Sequence, residues 1–150
     1  DGWETLQKIK ADPALADLPV LMFSAKKITP EEAQEHCMNI EDFVSKPVNP
    51  GLLLEAINRV FERRAAVKTE TMQARERGID PALVEEYAAL RKCIEVDKNL
   101  LVVLKKSSGS HLPGREVPAD DLAAIGRLEE KITAGEKRLN ELNGKMNSGV

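Results

Sequence analysis

The chain has 150 residues, 42% apolar and 31% charged, with a net charge of −3, a composition that fits one globular domain or one domain with an extension. No apolar run approaches the roughly 18 residues that a membrane span needs, and no charged-then-apolar leader is visible, so a soluble, cytoplasmic protein with no membrane partner is expected. Aromatic residues make up 3%, so the core must come from Leu, Ile, Val and Ala, which suits helices and buried parallel strands better than an aromatic-rich β-sandwich.

The first predicted helix runs from Gly2 to Lys10. Trp3, Leu6 and Ile9 recur at threefold spacing, while Glu4, Lys8 and Lys10 face outward. It ends near Asp12-Pro13. In LPVLMFSA the run from Val20 to Phe23 is too short for a helix and lacks polar alternation, as expected of a strand covered on both faces. Thr29-Pro30-Glu31-Glu32 is a capping box with proline at the first helical position, and opens a second helix. DFVSKPV follows as a short strand. Asn49-Pro50 then caps a longer helix with Leu53, Leu54, Ile57, Val60 and Phe61 on its apolar stripe. The order α-β-α-β-α predicts an α/β fold with parallel strands.

Residues 63–79 continue that helix in polar style until Gly78, a C-terminal stop. Asp80-Pro81 starts another helix, with Leu83, Tyr87, Leu90, Ile94, Leu101 and Leu104 in a heptad seam and Asp97 at the skipped place. SSGSHLPGREV reads as a loop. After Pro118, Ile125, Leu128, Ile132, Leu139, Leu142 and Met146 form a second seam, with Gly135 at its skipped place. Folding residues 80–150 as an antiparallel helical hairpin of coiled-coil type sets Leu104 against Ile125, Asp97 against Ile132 and Ile94 against Gly135. Asp97 is expected to be a solvated carboxylate at the seam edge, or else a register-fixing residue paired with a basic side chain. Val96, Leu100 and Val103 lie off the seam and call for a further surface, by docking or self-association.

Charge divides unevenly, with net −5 over residues 1–62 and +2 over 63–150. No concentrated basic face is visible, so a nucleic-acid partner is not expected. Cys37 and Cys93 lie in different segments without metal-ligand spacing and are expected to be reduced thiols. His36 beside Cys37 faces a different side of its helix and makes no metal pair.

Ligands of such sheets collect at the carboxyl ends of the strands. Ser24 ends the first strand and Lys46 the second, so a hydroxyl and an ammonium share one rim, an arrangement suited to an oxyanion or phosphoryl group.

DGWETLQKIK, LPVLMFSAK and EDFVSKPV followed by an amphipathic helix together resemble the carboxyl-terminal half of a receiver domain of two-component response regulators, over residues 1–62. The carrying motifs are the DG turn, Ser24-Ala25 at a strand end, and the KP dipeptide preceded at three residues by Phe43. The resemblance implies a flavodoxin-like receiver half, that is, a partial doubly wound parallel sheet. It implies that Ser24 is the switch hydroxyl, that Lys46 pairs with an aspartyl phosphate, that the bond to Pro47 is cis, and that Phe43 is the aromatic that follows the hydroxyl. It further implies a sensor histidine kinase as partner, and Mg2+ only in a complete receiver domain, with none bound by this chain alone. The family's phosphoacceptor aspartate falls about seven residues before the position of Asp1, and its acidic metal ligands fall earlier still. The expectation is therefore a truncated receiver whose residues 1–62 do not fold stably alone, since the first strand would keep an open apolar edge.

The expected function is phosphorelay signalling by a phosphoprotein, through protein contacts or self-association of the helical tail. The alternative is a non-phosphorylated structural coiled-coil adaptor with a vestigial receiver half. An enzyme is not expected, for want of a glycine-rich phosphate loop, a nucleophile elbow or a histidine placed near a Ser or Cys.

Overall fold

The computed structural model describes residues 1–26, 28–109, 113–114 and 116–148. Helix α1 covers Gly2–Ala11, strand β1 Leu21–Ser24, helix α2 Pro30–His36, strand β2 Asp42–Ser45, helix α3 Pro50–Glu76, helix α4 Pro81–Ser108 and helix α5 Ala119–Asn147.

Side-chain caps fix most helix starts. Asp1 and Glu4 close a capping box on α1, and Thr29 and Glu32 close another on α2. Asn49 accepts a hydrogen bond from the Leu52 amide, and Asp80 accepts one from the Ala82 amide. Each satisfies an amide that the first turn leaves without a partner. Helix α3 ends where Gly78 turns into the left-handed region at φ 77°.

The two strands pair in parallel, Leu21 opposite Asp42 and Ser24 opposite Ser45. They form a two-stranded sheet of four residues per strand, while helices of 27, 28 and 29 residues supply most of the chain. The expected α/β class, a partial doubly wound sheet of a flavodoxin-like receiver half, is therefore corrected: the protein is predominantly helical with one short parallel ribbon. The reason lies in what covers the ribbon. A doubly wound layer buries several strands between two helix layers, whereas here α4 packs against β2 and α2, and Phe23 of β1 stays 37% exposed. Among the described residues, β1 is not covered on both faces as expected.

Helix α4 is the centre of the molecule. Ile94, Asp97 and Leu104 of its predicted seam are buried, together with Ile125, Leu128 and Ile132 of α5. Its fully buried Val96 and Leu100 lie off that seam, in one core cluster with Leu6, Ile28, Ile40 and Phe43. The surface that Val96 and Leu100 call for is thus supplied within the chain. A second cluster joins Ala74 of α3 to Val84, Tyr87, Leu142 and Met146 at the far end of the hairpin. His111, expected in the α4–α5 loop, lies outside the described residues.

Candidate functional site at the carboxyl rim of the strands

Parallel pairing carries the ends of β1 and β2 to the same rim. The Lys46 amide donates to the Ser24 carbonyl at 2.8 Å, which sets the two residues on neighbouring strand ends, and the Lys46–Pro47 bond is cis. Their side chains point to different places. Ser24 Oγ accepts from the Lys26 amide at 3.1 Å and donates to the Lys26 carbonyl at 3.0 Å. It lines a cleft of about 410 Å³ beside Trp3 and Glu32. Exposed Lys46 lines a separate cleft of about 550 Å³ with Glu55, Arg59, Asn99 and Lys106. Phe43 is buried in the core that it shares with Val96 and Leu100 of α4.

At the opposite end of β2, Glu41 and Asp42 are both buried. Arg63 Nη2 donates to Glu41 Oε2 at 2.6 Å and to the Glu41 carbonyl at 2.8 Å, and Arg64 Nη1 donates to Oε1 at 2.7 Å. Lys92 Nζ of α4 stands 3.3 Å from the same carboxylate. Burial pushes the Glu41 carboxyl up, but Lys92, Arg63 and Arg64 together outweigh it and hold it below the ordinary value. Lys92 is also pushed down, because burial exceeds the pull of the one carboxylate it shares with two arginines. Asp42 accepts from Asn99 Nδ2 at 2.7 Å and from the Phe43 amide at 2.8 Å. Burial still wins there and raises its carboxyl above the usual range. This junction ties β2 to both α3 and α4.

Magnesium coordination needs several oxygen ligands in near-octahedral array. Among the residues lining the Lys46 cleft, Glu55 is the one carboxylate, and among the described residues no group of three or more His, Cys, Asp and Glu side chains is placed to hold a metal. The Lys46 cleft does not fit a magnesium ion. His36 and Cys37, which were not expected to pair on a metal, are engaged elsewhere: His36 stacks on Trp3 with ring centroids 4.0 Å apart, and Cys37 is disulfide-bonded to Cys93. The expectation of two reduced thiols is corrected by that bond, since helix packing brings together cysteines that are remote in sequence.

A sequence profile of the family described as MetOD2, metanogen output domain 2, matches residues 63–150. The chain belongs to that family. The MetOD2 match takes in the later part of α3 and the whole hairpin. Among curated proteins, the chain is 25% identical over 137 residues to "Response regulator Rre1" of Synechocystis sp. (strain ATCC 27184 / PCC 6803 / Kazusa), which covers 89% of this chain and 56% of that protein. It is 35% identical over 63 residues to "Probable transcriptional regulator ycf29" of Pyropia yezoensis, covering 42% of this chain and 28% of that one. The Porphyra purpurea protein of the same name is 32% identical over 63 residues, covering 42% and 30%. The chain thus spans less than two thirds of the length of these relatives. It is related to response regulators. No solved structure matches it significantly. Among the described residues no helix is long and apolar enough to cross a membrane.

Sequence reasoning missed the Glu41–Asp42 junction. A signal was available: two adjacent carboxylates directly before the apolar Phe43-Val44, close to a place where acidic groups are seldom buried unpaired. The Arg63-Arg64 pair that answers them lies about four helical turns along α3 from its cap, on a face that periodicity marks simply as polar.

Proposed function

We propose that this MetOD2 chain works in phosphorelay signalling of the response-regulator kind, its receiver-like segment passing an aspartyl-phosphorylation state to the α4–α5 hairpin as output. Ser24 and Lys46 would read a phosphoryl group on an aspartate that the resemblance places about seven residues before Asp1, with a sensor histidine kinase as the phosphoryl source. Phe43 would carry the change inward. The observation that carries this reading is the core that Phe43 shares with Val96 and Leu100: a displacement of the β2 end reaches the output helix without an intervening linker, as coupling through a packed core requires. The relationship to response regulators supports the same reading. Output is by protein contact of the helices, with a partner or a second copy.

Beryllofluoride added to the polypeptide that carries the aspartate tests it. The expected result is a shift of the Ser24, Lys46 and Phe43 NMR signals together with those of Leu100, all of it lost in Lys46→Ala. Silence at these positions in a folded protein would select the second reading, a non-phosphorylated coiled-coil adaptor. That reading has its own support in the Ser24 hydroxyl, already engaged by the Lys26 backbone and opening on a different cleft from Lys46.

A further inference from the structure

Cys37 caps the end of α2 and Cys93 lies in α4, 56 residues further on, and a disulfide joins them across a Cα separation of 5.2 Å. These are the chain's two cysteines, so no other pairing exists within one copy. The bridge falls at the seam between the receiver-like segment and the output hairpin. Non-covalent contacts hold the same seam: Lys92 Nζ donates to the Met38 carbonyl at 2.9 Å and faces Glu41 at 3.3 Å. Opening the bond would leave α4 seated but less tightly held, and the sulfurs still close enough to rejoin.

Access is one-sided. Cys37 is 6% exposed, while Cys93 is only partly buried, its Sγ beside the sulfur of exposed Met38. A solvent thiol therefore meets the Cys93 sulfur first. A sole disulfide bridging two packed helices differs from the dense frameworks of small secreted domains, and in thiol-rich compartments such bonds are redox-sensing or catalytic.

We propose that Cys37 and Cys93 form a reversible thiol–disulfide modification site, whose exchange with dithiols sets how firmly α4 is fastened to α2. A dithiol's thiolate attacks Cys93 Sγ, making a mixed disulfide and releasing Cys37 as a thiolate, which takes up a proton. The reagent's second thiolate then attacks its own mixed-disulfide sulfur, and Cys93 leaves as a thiolate and is protonated in turn. Two electrons pass to the protein, and the reagent departs as a disulfide. A disulfide reagent drives the reverse. The inference stands independently of the signalling proposal.

The test equilibrates the whole chain in dithiothreitol buffers of stepped thiol-to-disulfide ratio, then alkylates, weighs and melts it. The expected result is one transition in which both cysteines become reactive together, with a Tm lower by roughly 10 °C in the reduced chain. Hydrogen exchange should rise in α2 and the turn after it. Cys93→Ser and Cys37→Ser should each melt like the reduced wild type and ignore the buffer ratio; if either fails to fold, the wild-type titration alone decides. The proposal is overturned if the two cysteines alkylate independently at every ratio in the folded chain. It is equally overturned if the disulfide forms only between copies, if Tm is the same in both states, or if the reduced chain cannot be reoxidised to its starting state.

Discussion

Gly135 of α5 lies directly against Ile94 of α4: a β-carbon on the glycine would sit 3.1 Å from Ile94 Cγ1 and 3.3 Å from Cδ1. Ile94 is buried and stiff at its branched carbon, so it yields little. Gly135→Val is therefore expected to destabilise the chain by about 1–3 kcal/mol through overpacking. In an Ile94→Ala background the cost should shrink by at least ~0.5 kcal/mol, because the obstructing atoms are gone. Urea midpoints of the four proteins check this. Strict additivity would mean that the glycine is not a packing gap.

Asp97 is 2% exposed and makes a 2.7 Å ion pair with Lys131 of α5, so the expected basic partner is present and the solvated reading does not hold. Burial raises its carboxyl above the ordinary value despite Lys131. A carboxyl raised in the folded state favours folding most when protonated, and that contribution is lost as pH rises through the folded value. Lys131→Ala should therefore cost about 2–3 kcal/mol at pH 7, reduced from the fully buried case because Lys131 is a third exposed. Near pH 3 the cost should almost vanish, since Asp97 is then neutral. Denaturant titrations at the two pH values decide it.

Glu41 gives the opposite slope. Its carboxyl is held below the ordinary value of 4.5 by three cations, so the stability it supplies is present above that value and disappears as pH falls through the lower, folded one. Glu41→Gln leaves nearly buried Arg63 without its carboxylate, and a loss of about 3 kcal/mol at pH 7 is expected. The variant should also lack this part of the acid-induced loss. An acid limb identical to wild type would place the titrating group elsewhere.

Local chemistry and the periodic hairpin seam were legible, and the rest of the long-range assembly was not. Thr29, Asn49 and Asp80 announce their helices because a cap is decided within four residues. The hairpin register was readable because Ile94 and Gly135 obey a period. The fold class failed because the apolar run Val20 to Phe23 looks the same whether helices or strands cover it. Nothing near Cys37 in sequence signals Cys93, and the burial of Glu41 depends on Arg63 and Lys92 arriving from two other helices. The rim residues Ser24 and Lys46 were found by strand-end position, but the separate clefts they line depend on side-chain directions that spacing does not encode.

Phe43 and Lys46 separate what holds the fold from what would carry its signal. Phe43 is 4% exposed in the core that joins β2 to α4, so Phe43→Ala should cost about 3–5 kcal/mol, and Phe43→Leu, which keeps most of the volume, under about 1.5 kcal/mol. Lys46 is exposed and lines an open cleft, so Lys46→Ala should change stability by no more than about 0.5 kcal/mol. Hydrogen exchange in α4 gives the second readout. It should rise in Phe43→Ala at matched global stability, because the helix loses its contact with the strand, and should stay at the wild-type level in Lys46→Ala. Equal protection of α4 in Phe43→Ala would mean that strand and hairpin are not coupled through this side chain.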